Sequence, residues 1–234
     1  MHLELERDRL YVTVDALILT VREGRLYALL SRRKNPPFQG RWALPGRLVG
    51  LDEPVEATLD GLLAEMMPEG PRFYEQLYTF SDLNRDPRGR VISIAHLVAV
   101  PEAPSGGLTS FEIRLEGDAL SLIAPGGGSL PGGELAFDHG GILATGVQRL
   151  RGKIDYTDIA FHFLTRPDCF SLSQLQSIFE AVLSRPVDPS NFRRMVKSRY
   201  EEPGFIAPLD ASTVSPRGRG RPAAMYRVIP KNER

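Results

Sequence analysis

The sequence predicts an α+β protein of two domains, and three observations support this prediction. The chain has 234 residues, which exceeds the usual size of one compact domain, so we expect two domains of unequal size, each with its own core. The first part of the chain mixes strand and helix patterns, whereas the last part has helical patterns followed by a hairpin pattern. A hydrophobic fraction of 42% and a charged fraction of 25% are typical of globular proteins. We place the domains at residues 1–150 and 151–234.

Four strands of the first domain are predicted from β-branched and apolar runs. Residues 11–20 (YVTVDALILT) and 25–31 flank the turn Arg22-Glu23-Gly24, and this arrangement predicts a β-hairpin. Residues 73–80 and 91–100 predict two further strands. The stretch from residue 103 to residue 133 is rich in glycine, and we expect strands and loops there without defined bounds.

Two helical patterns follow from the spacing of apolar residues. Residues 54–67 carry apolar side chains three and four positions apart, and the pattern stops at Pro68. This apolar face consists of Val55, Leu59, Leu62, Leu63 and Met66. Residues 136–164 predict a largely helical segment that is interrupted near Gly152, and the domain boundary lies within this segment.

The second domain is predicted to contain two more helices and a hairpin. Residues 171–183 begin with Ser171 and Gln174 at capping-box spacing, and one face carries Leu172, Leu175, Ile178, Phe179 and Val182. Asp188 and Pro189 begin the next helix, which we expect to reach residue 199. Short apolar segments at residues 205–209 and 224–229 flank a polar, glycine-rich loop. Together with the helical part of residues 151–164, these segments give three helices followed by a hairpin with a long basic tip. This is the order of a winged helix.

The composition excludes several classes of protein. No apolar run approaches the roughly 20 residues of a membrane span, and residues 1–10 do not resemble a signal peptide, so we expect a cytoplasmic protein without a membrane. Cys169, the single cysteine, cannot form an internal disulfide and is expected to be a small buried residue. The histidines at positions 96, 139 and 162 lack the mutual spacing of metal ligands. We therefore predict no bound metal.

Positive charge is concentrated in the second domain. Residues 151–234 carry 14 lysines and arginines against 9 acidic residues, whereas residues 1–150 carry 15 against 20. On the second predicted helix of this domain, Asn191, Arg194, Lys197 and Ser198 share one face, while Phe192 and Met195 are expected to point to the core. Amide and cationic groups of these kinds contact base edges in the major groove or bind phosphate. The alternative is an ordinary solvated helix face.

The basic loop at residues 216–222 (PRGRGRP) favours the DNA-binding interpretation. It resembles an AT-hook, in which glycine and proline keep the backbone narrow so that flanking arginines enter the minor groove. Arg217, Arg219 and Arg221 are its candidate contacts. In the wing of a winged helix, such a loop predicts a minor-groove contact.

Residues 38–68 resemble the Nudix box, which has the general form G-x5-E-x7-REUxEE-xGU, where U is a bulky apolar residue. If Glu53 is placed on the first glutamate, Arg47 replaces the first glycine, and Glu65 is the one other family glutamate that survives. The remaining departures are Gly61 for arginine, Leu62 and Met66 for glutamates, and Pro68 for glycine. Hydrolysis in that family requires several helix carboxylates around a cation such as Mg²⁺. We therefore expect no hydrolytic activity.

The Nudix resemblance implies an α/β/α sandwich with a groove for a nucleoside diphosphate. Candidate contacts to the diphosphate are Arg32, Arg33, Arg41 and Arg88, and candidate stacking surfaces are Phe38 and Trp42. Structural alternatives exist, since Trp42 can be a core anchor and Arg88 can cap a turn. A relocated metal site built from Glu56, Asp60 or Glu69 is a further alternative.

Nearly the whole chain resembles the Nudix-related transcriptional regulators of NAD metabolism. The most specific segments are DPRGR, LRGK-x-x-YT and NFRR, and others include RWALPG, LAFDHGGIL and GRGRPAAMYR. The resemblance implies a homodimer that binds palindromic double-stranded operator DNA and requires no cofactor. It also implies that ADP-ribose or a related nucleotide is the effector, which is the small molecule that changes DNA binding. It adds Lys153, Tyr156 and Arg193 to the candidate DNA contacts. Residues 105–133 depart from the family in length and glycine content, and related regulators sense sugars, so the effector stays open.

Two other functions compete with the repressor hypothesis. The first is a nucleotide pyrophosphatase that acts on ADP-ribose or another nucleoside diphosphate derivative, which predicts metal-dependent release of AMP. The second is a protein-interaction adaptor whose basic tail binds acidic partners. A repressor should show sequence preference in addition to the salt-dependent binding common to all basic proteins.

Overall fold

The computed structural model describes residues 9–68, 73–104, 106–117, 119–209 and 224–230. The strands are β1 (Leu10–Arg22), β2 (Arg25–Arg32), β3 (Trp42–Ala43), β4 (Gly46–Leu48), β5 (Phe73–Phe80), β6 (Arg90–Ala99), β7 (Thr109–Glu116), β8 (Ala119–Ile123), β9 (Ser129–Pro131), β10 (Phe170–Ser171), β11 (Ile206–Pro208) and β12 (Met225–Val228). The α-helices are α1 (Val55–Met66), α2 (His139–Lys153), α3 (Leu172–Leu183) and α4 (Pro189–Val196). A 3₁₀ turn at Ile159–Phe163 precedes β10, and a π turn at Lys197–Glu201 extends α4.

A mixed sheet forms the centre of the first domain. Its main path is β5-β6-β1-β2-β7-β8-β9, with β3 paired to β2 and β4 paired to β1. β1 and β6 are parallel, whereas β1 and β2 form the predicted antiparallel hairpin. The turn residues Glu23 and Gly24 have φ values of 52° and 70°, which suit a tight two-residue hairpin turn. The glycine-rich stretch contains three strands, β7, β8 and β9, which extend the sheet as a meander.

Helices cover both faces of this sheet, as the implied α/β/α sandwich requires. Val14, Ala16 and Ile18 of β1 pack with α1, whereas Leu17 and Leu19 belong to the larger core that includes α2. Because both faces of β1 are buried, its sequence is almost continuously apolar rather than alternating.

The sequence predicts both helices of the sandwich. α1 begins after Pro54 and buries Leu59, Leu62 and Leu63, as predicted. The segment at residues 136–164 is largely helical, with α2 at residues 139–153 and a 3₁₀ turn at Ile159–Phe163, and the predicted interruption near Gly152 begins after Lys153. Gly146 faces β1 so closely that a Cβ atom there would collide with the side chain of Leu17.

The second domain has the predicted winged-helix order. Ser171 and Gln174 form both hydrogen bonds of the capping box at the start of α3. Asp188 Oδ1 accepts a hydrogen bond of 2.8 Å from the Asn191 amide at the start of α4. β11 and β12 pair as the wing hairpin, and β10 joins them in a three-stranded sheet. The basic tip with Arg217, Arg219 and Arg221 lies outside the described residues.

The two predicted domains are in direct contact, and the boundary between them stays a prediction. One apolar cluster contains Leu17 of β1, Val147 of α2 and Phe179 of α3, so the second domain packs directly against the first. Residue 150 lies within the last turn but one of α2, and the chain has no break there. Cys169 is half-buried rather than buried. Within the described ranges, none of the helices has the length and apolar character needed to cross a bilayer.

Candidate functional site

A polar pocket opens where the first domain's sheet meets the start of α2. Its volume is about 210 Å³. The lining residues come from β1, β4, the segments that follow β2, β3 and β5, and the start of α2, namely Thr13, Asp15, Arg33, Leu44, Gly46, Arg47, Leu48, Arg85, Asp86, Arg88, Phe137 and His139. Pockets for complete ligands usually occupy roughly 300–1,000 Å³, so this cavity suits the diphosphate and sugar of a nucleotide better than a whole nucleotide.

Arginines and phenylalanines alternate along one side of the pocket. The rings of Phe38 and Phe137 meet edge to face with centroids 5.0 Å apart. Arg33 and Arg88 lie over the Phe137 ring, at 4.5 Å and 5.7 Å from its centroid, and Arg41 lies 5.3 Å from that of Phe38. Such a cluster offers cationic donors for phosphate next to apolar faces for a ring.

The arginines of the pocket differ in how their charge is balanced. Arg88 donates two hydrogen bonds to Asp86, at 3.0 Å and 2.7 Å. Arg33 donates to the backbone carbonyls of Pro37 and Asn35, and no described carboxylate pairs with it. Burial lowers the pKa of Arg33, and repulsion from Arg88 lowers it further. A half-buried cation with backbone partners alone is a strong attractor for an anionic ligand.

A buried network of polar groups forms the floor of the pocket. Arg85, 6% exposed, donates to both carboxylate oxygens of Asp138 at 2.9 Å and 2.8 Å, and its Nη2 lies 3.5 Å from Asp15 Oδ2. Ser93 donates to Asp15 at 2.5 Å. His139 Nδ1 accepts a hydrogen bond from the Leu44 amide, and burial lowers the pKa of this histidine. The histidine is therefore neutral at physiological pH.

Two of the six predicted ligand residues, Arg33 and Arg88, line this pocket. Phe38 contacts the lining residue Phe137, and Arg41 contacts Phe38. Arg32 and Trp42 do not line it. The Trp42 ring packs edge to face against Phe111 in the core, with 4.9 Å between centroids, while Arg32 lies over Trp42 and donates to the Gly40 carbonyl. The core-anchor alternative is therefore the better description of Trp42.

Several pocket residues are not among the residues predicted from the sequence, although some have a local signal. Asp15 stands in the middle of an otherwise apolar strand, which is where a buried carboxylate needs a partner. Phe137 and His139 lie in the segment LAFDHGGIL, and Arg85 directly precedes DPRGR, so both stretches were noticed only for their resemblance. Arg47 was noticed only as a replaced glycine.

The surviving Nudix-box carboxylates do not fit a metal site. Glu53 Oε1 accepts hydrogen bonds from Thr58 and from the Gly50 amide, which lower its pKa. Glu65 is paired with Arg47. Of the relocated candidates, Asp60 accepts a hydrogen bond from Tyr74, and Glu69 lies outside the described residues. No three histidine, cysteine or acidic side chains in the described part of the chain are placed to hold a metal ion.

The exposed face of α4 carries the candidate base contacts. Asn191, Arg193, Arg194 and Lys197 are exposed, and Phe192 is buried as predicted. Arg194 Nη2 donates to Asn191 Oδ1 at 2.6 Å, which holds these two side chains together. Tyr156, after α2, is 69% exposed. The exposed face of α4 therefore presents hydrogen-bond donors to solvent.

Lys153 is not part of this surface. Its ammonium group donates to both oxygens of Glu75 on β5 at 2.6 Å, and the side chain is 13% exposed. It also lies 5.6 Å from the centroid of the Phe73 ring. This pairing joins α2 to the first domain's edge strand and argues against the predicted DNA contact of Lys153, which stays a prediction.

Comparison with known proteins identifies the family. Residues 160–228 match the model of the NrtR DNA-binding winged helix domain. The chain is 31% identical over 223 residues to the ADPR responsive transcriptional repressor NtrR of Acinetobacter baylyi, with 92% of this chain and 81% of the relative covered. The chain belongs to the NrtR family.

This chain is also similar to a solved NrtR structure and to an enzyme. The crystal structure of Shewanella oneidensis NrtR complexed with a 27mer DNA has a TM-score of 0.70 and 28% identity, with 93% of each chain covered. The likeness therefore extends over both domains of the NrtR architecture. An ADP-ribose pyrophosphatase of Methanocaldococcus jannaschii is 35% identical over 144 residues, with 60% of this chain and 77% of the enzyme covered.

Proposed function

We propose that this chain is a transcriptional repressor of NAD-metabolism genes. Its winged helix binds operator DNA, and the pocket at the start of α2 binds ADP-ribose or a related nucleotide as effector. The Acinetobacter baylyi relative is named as an ADPR responsive repressor, and the Shewanella oneidensis relative was crystallised with DNA. A role on the chromosome agrees with the cytoplasmic location that the sequence predicts.

The observation that carries the proposal is an anion-attracting pocket at the start of α2, in a chain whose second domain matches the NrtR DNA-binding winged helix. α2 begins at the pocket, where Arg85 holds Asp138, and ends at the pair of Lys153 with Glu75. Its 15 residues span roughly 22 Å. Tyr156 follows directly and is exposed. A ligand that changes the contacts of Phe137 or Arg85 therefore acts on the end of a rigid element.

A homodimer is part of the proposal. A single α4 helix covers only a few base pairs, so operator specificity requires two winged helices on half-sites about one helical turn, or roughly 34–36 Å, apart. We expect sedimentation of the free protein, and of its complex with DNA, to show two copies of the chain. A monomer under both conditions would refute this part.

The DNA-binding role can be tested by genomic footprinting followed by titration of the recovered duplex. Arg194→Ala should weaken operator binding by about 1–3 kcal/mol and relax the preference at one or two base pairs. Random duplexes should bind more weakly than the operator at every salt concentration. Equal binding of random and recovered duplexes would instead support the adaptor hypothesis.

The effector role can be tested by calorimetric titration with ADP-ribose and by repeating the operator titration at saturating ADP-ribose. Binding should be measurable, and the operator affinity should change. An unchanged operator affinity at saturation would contradict the role of effector.

The similarity to an ADP-ribose pyrophosphatase favours hydrolysis as the second candidate function. We infer that the chain does not hydrolyse ADP-ribose, since Glu53 accepts hydrogen bonds from Thr58 and Gly50 and Glu65 is paired with a guanidinium. Incubation with ADP-ribose and Mg²⁺ or Mn²⁺ should release no AMP above background. Turnover near the usual enzyme range of about 1–1,000 per second would overturn this inference.

A further inference from the structure

Two departures from the Nudix box form one feature in space. Arg47 on β4 stands where the Nudix box has glycine, and Gly61 on α1 stands where it has arginine. Arg47 Nη1 lies only 3.2 Å from the position that a Cβ atom of residue 61 would occupy. The guanidinium of Arg47 therefore uses the room that glycine leaves on the helix. This accounts for a glycine inside α1, where it otherwise costs about 1 kcal/mol relative to alanine.

The Arg47 guanidinium neutralises the helix carboxylate that survives from the metal-binding set. Its Nη2 donates to Glu65 Oε1 at 2.5 Å. The pKa of Glu53 is lowered mainly by hydrogen bonds from Thr58 and Gly50, and the charge of Arg47 contributes as well. In a hydrolase of this kind, helix carboxylates bind a divalent cation. Here Glu65 binds a guanidinium instead.

Arg47 also belongs to the pocket. It lines the cavity together with Arg33 and Arg88, and its side chain is 35% exposed. An arginine has five N–H donors, and the pair with Glu65 uses one of them. Donors therefore remain for a phosphate oxygen, and planar guanidinium groups suit phosphate.

We propose that Arg47 is a tethered cation that binds the diphosphate of the nucleotide effector in the role of a divalent metal ion, so that effector binding requires no metal. The ligand class in this inference rests on the proposed function. The inference adds the residue that supplies the charge. A guanidinium attracts the diphosphate but holds no water molecule as a nucleophile, so it provides binding without the hydrolytic step.

The test compares ADP-ribose binding in excess EDTA and in millimolar Mg²⁺ by calorimetry. The wild-type chain should bind with the same dissociation constant in both buffers. Arg47→Met, which keeps the length but removes the charge, should weaken binding by about 10- to 100-fold in both. Arg47→Lys should recover part of this loss. Arg114→Met is the matched control, because Arg114 is also a strand arginine paired with a glutamate, Glu112, but lies outside the pocket.

The outcomes separate this inference from the proposed function. Wild-type binding that needs Mg²⁺, or an Arg47→Met variant that binds as tightly as wild type while folded, would overturn the inference alone. If the wild type does not bind ADP-ribose in either buffer, the effector proposal fails, and inorganic pyrophosphate in EDTA becomes the probe. Pyrophosphate binding that Arg47→Met abolishes would uphold the cation role, and absence of pyrophosphate binding to wild type would overturn it.

Discussion

Two of the four lysines in this chain provide a sharp test of the DNA-binding surface, because the sequence predicts DNA contact for both and the structure separates them. Lys197 is exposed at the end of α4, whereas Lys153 is 13% exposed and paired with Glu75. Each lysine that neutralises a phosphate contributes about 0.9 to the slope of log K against log salt, which is roughly eightfold in affinity at 0.1 M salt. We therefore expect Lys197→Met to lower operator affinity by about eightfold and to flatten the slope by about 0.9.

Lys153→Met should act on stability instead. The change leaves the Glu75 carboxylate without its cation, which should lower the free energy of unfolding by about 1–2 kcal/mol, allowing for the partial exposure of the pair. The salt slope of operator binding should stay at the wild-type value. Lys34→Met, an exposed lysine of the first domain, controls for a general change in net charge. The reasoning is refuted if Lys153→Met flattens the slope as much as Lys197→Met does.

Three further predictions concern the pocket and α2. Arg33→Met should weaken ADP-ribose binding by about 10- to 100-fold in calorimetry, because Arg33 is the pocket arginine that pairs with no described carboxylate, and its effector-free operator affinity should not change. Burial lowers the pKa of His139 below the value of about 6.5 in the unfolded chain, so the stability of the fold should fall as the pH drops below that value. Between pH 7.5 and pH 5, the temperature of thermal unfolding should therefore fall less in His139→Asn than in the wild type. An identical fall in the variant would point to His96, whose pKa burial also lowers. Gly146→Ala should lower the free energy of unfolding in urea by about 1–3 kcal/mol because the added methyl group collides with Leu17. Gly152 has open space around it, so Gly152→Ala should raise the free energy of unfolding by up to about 1 kcal/mol. Equal effects of the two changes would contradict the close packing of α2 on β1.

The sequence predicts best the elements whose signal is local. The capping box at Ser171 and the start of α4 at Asp188 depend on side chains within three residues of each other, and both are present in the structure. The hairpin of β1 and β2 is equally local. The end of α2 at Lys153 lies next to Gly152, where the sequence predicts the interruption.

The contact between the two domains cannot be predicted from the apolar patterns of the sequence. Hydrophobic patterns show that a face is buried, but they do not show what covers it. α3 has a strong apolar face, which suits the core of an isolated winged helix equally well. In the structure part of this helix packs on the first domain, where Ser177 lies 3.4 Å from the position of a Cβ atom at Gly24.

The pocket could be predicted only in part, for a related reason. Arg33 and Arg88 were candidates because arginine suits a diphosphate, but the same argument applied to Arg32, which points away. Arg32 is the last residue of β2 and pairs with Trp42 of β3, whereas Arg33 follows the strand, so the choice between them depends on where β2 ends. The exchange of Arg47 and Gly61 is visible in the sequence only as two unrelated losses.

The geometry of the pocket suits a sensor better than an enzyme. Catalysis requires interactions that are stronger in the transition state than in the bound ground state, whereas a sensor needs a ground-state complex that persists and differs between two conformations of the protein. Arg33 and Arg47 supply attraction to a diphosphate, and the carboxylates that would position a metal and a water molecule are occupied by Thr58 and by Arg47 itself. Because the network of Arg85 and Asp138 connects this attraction to the first turn of α2, binding energy can bias the position of the helix that leads to the winged domain.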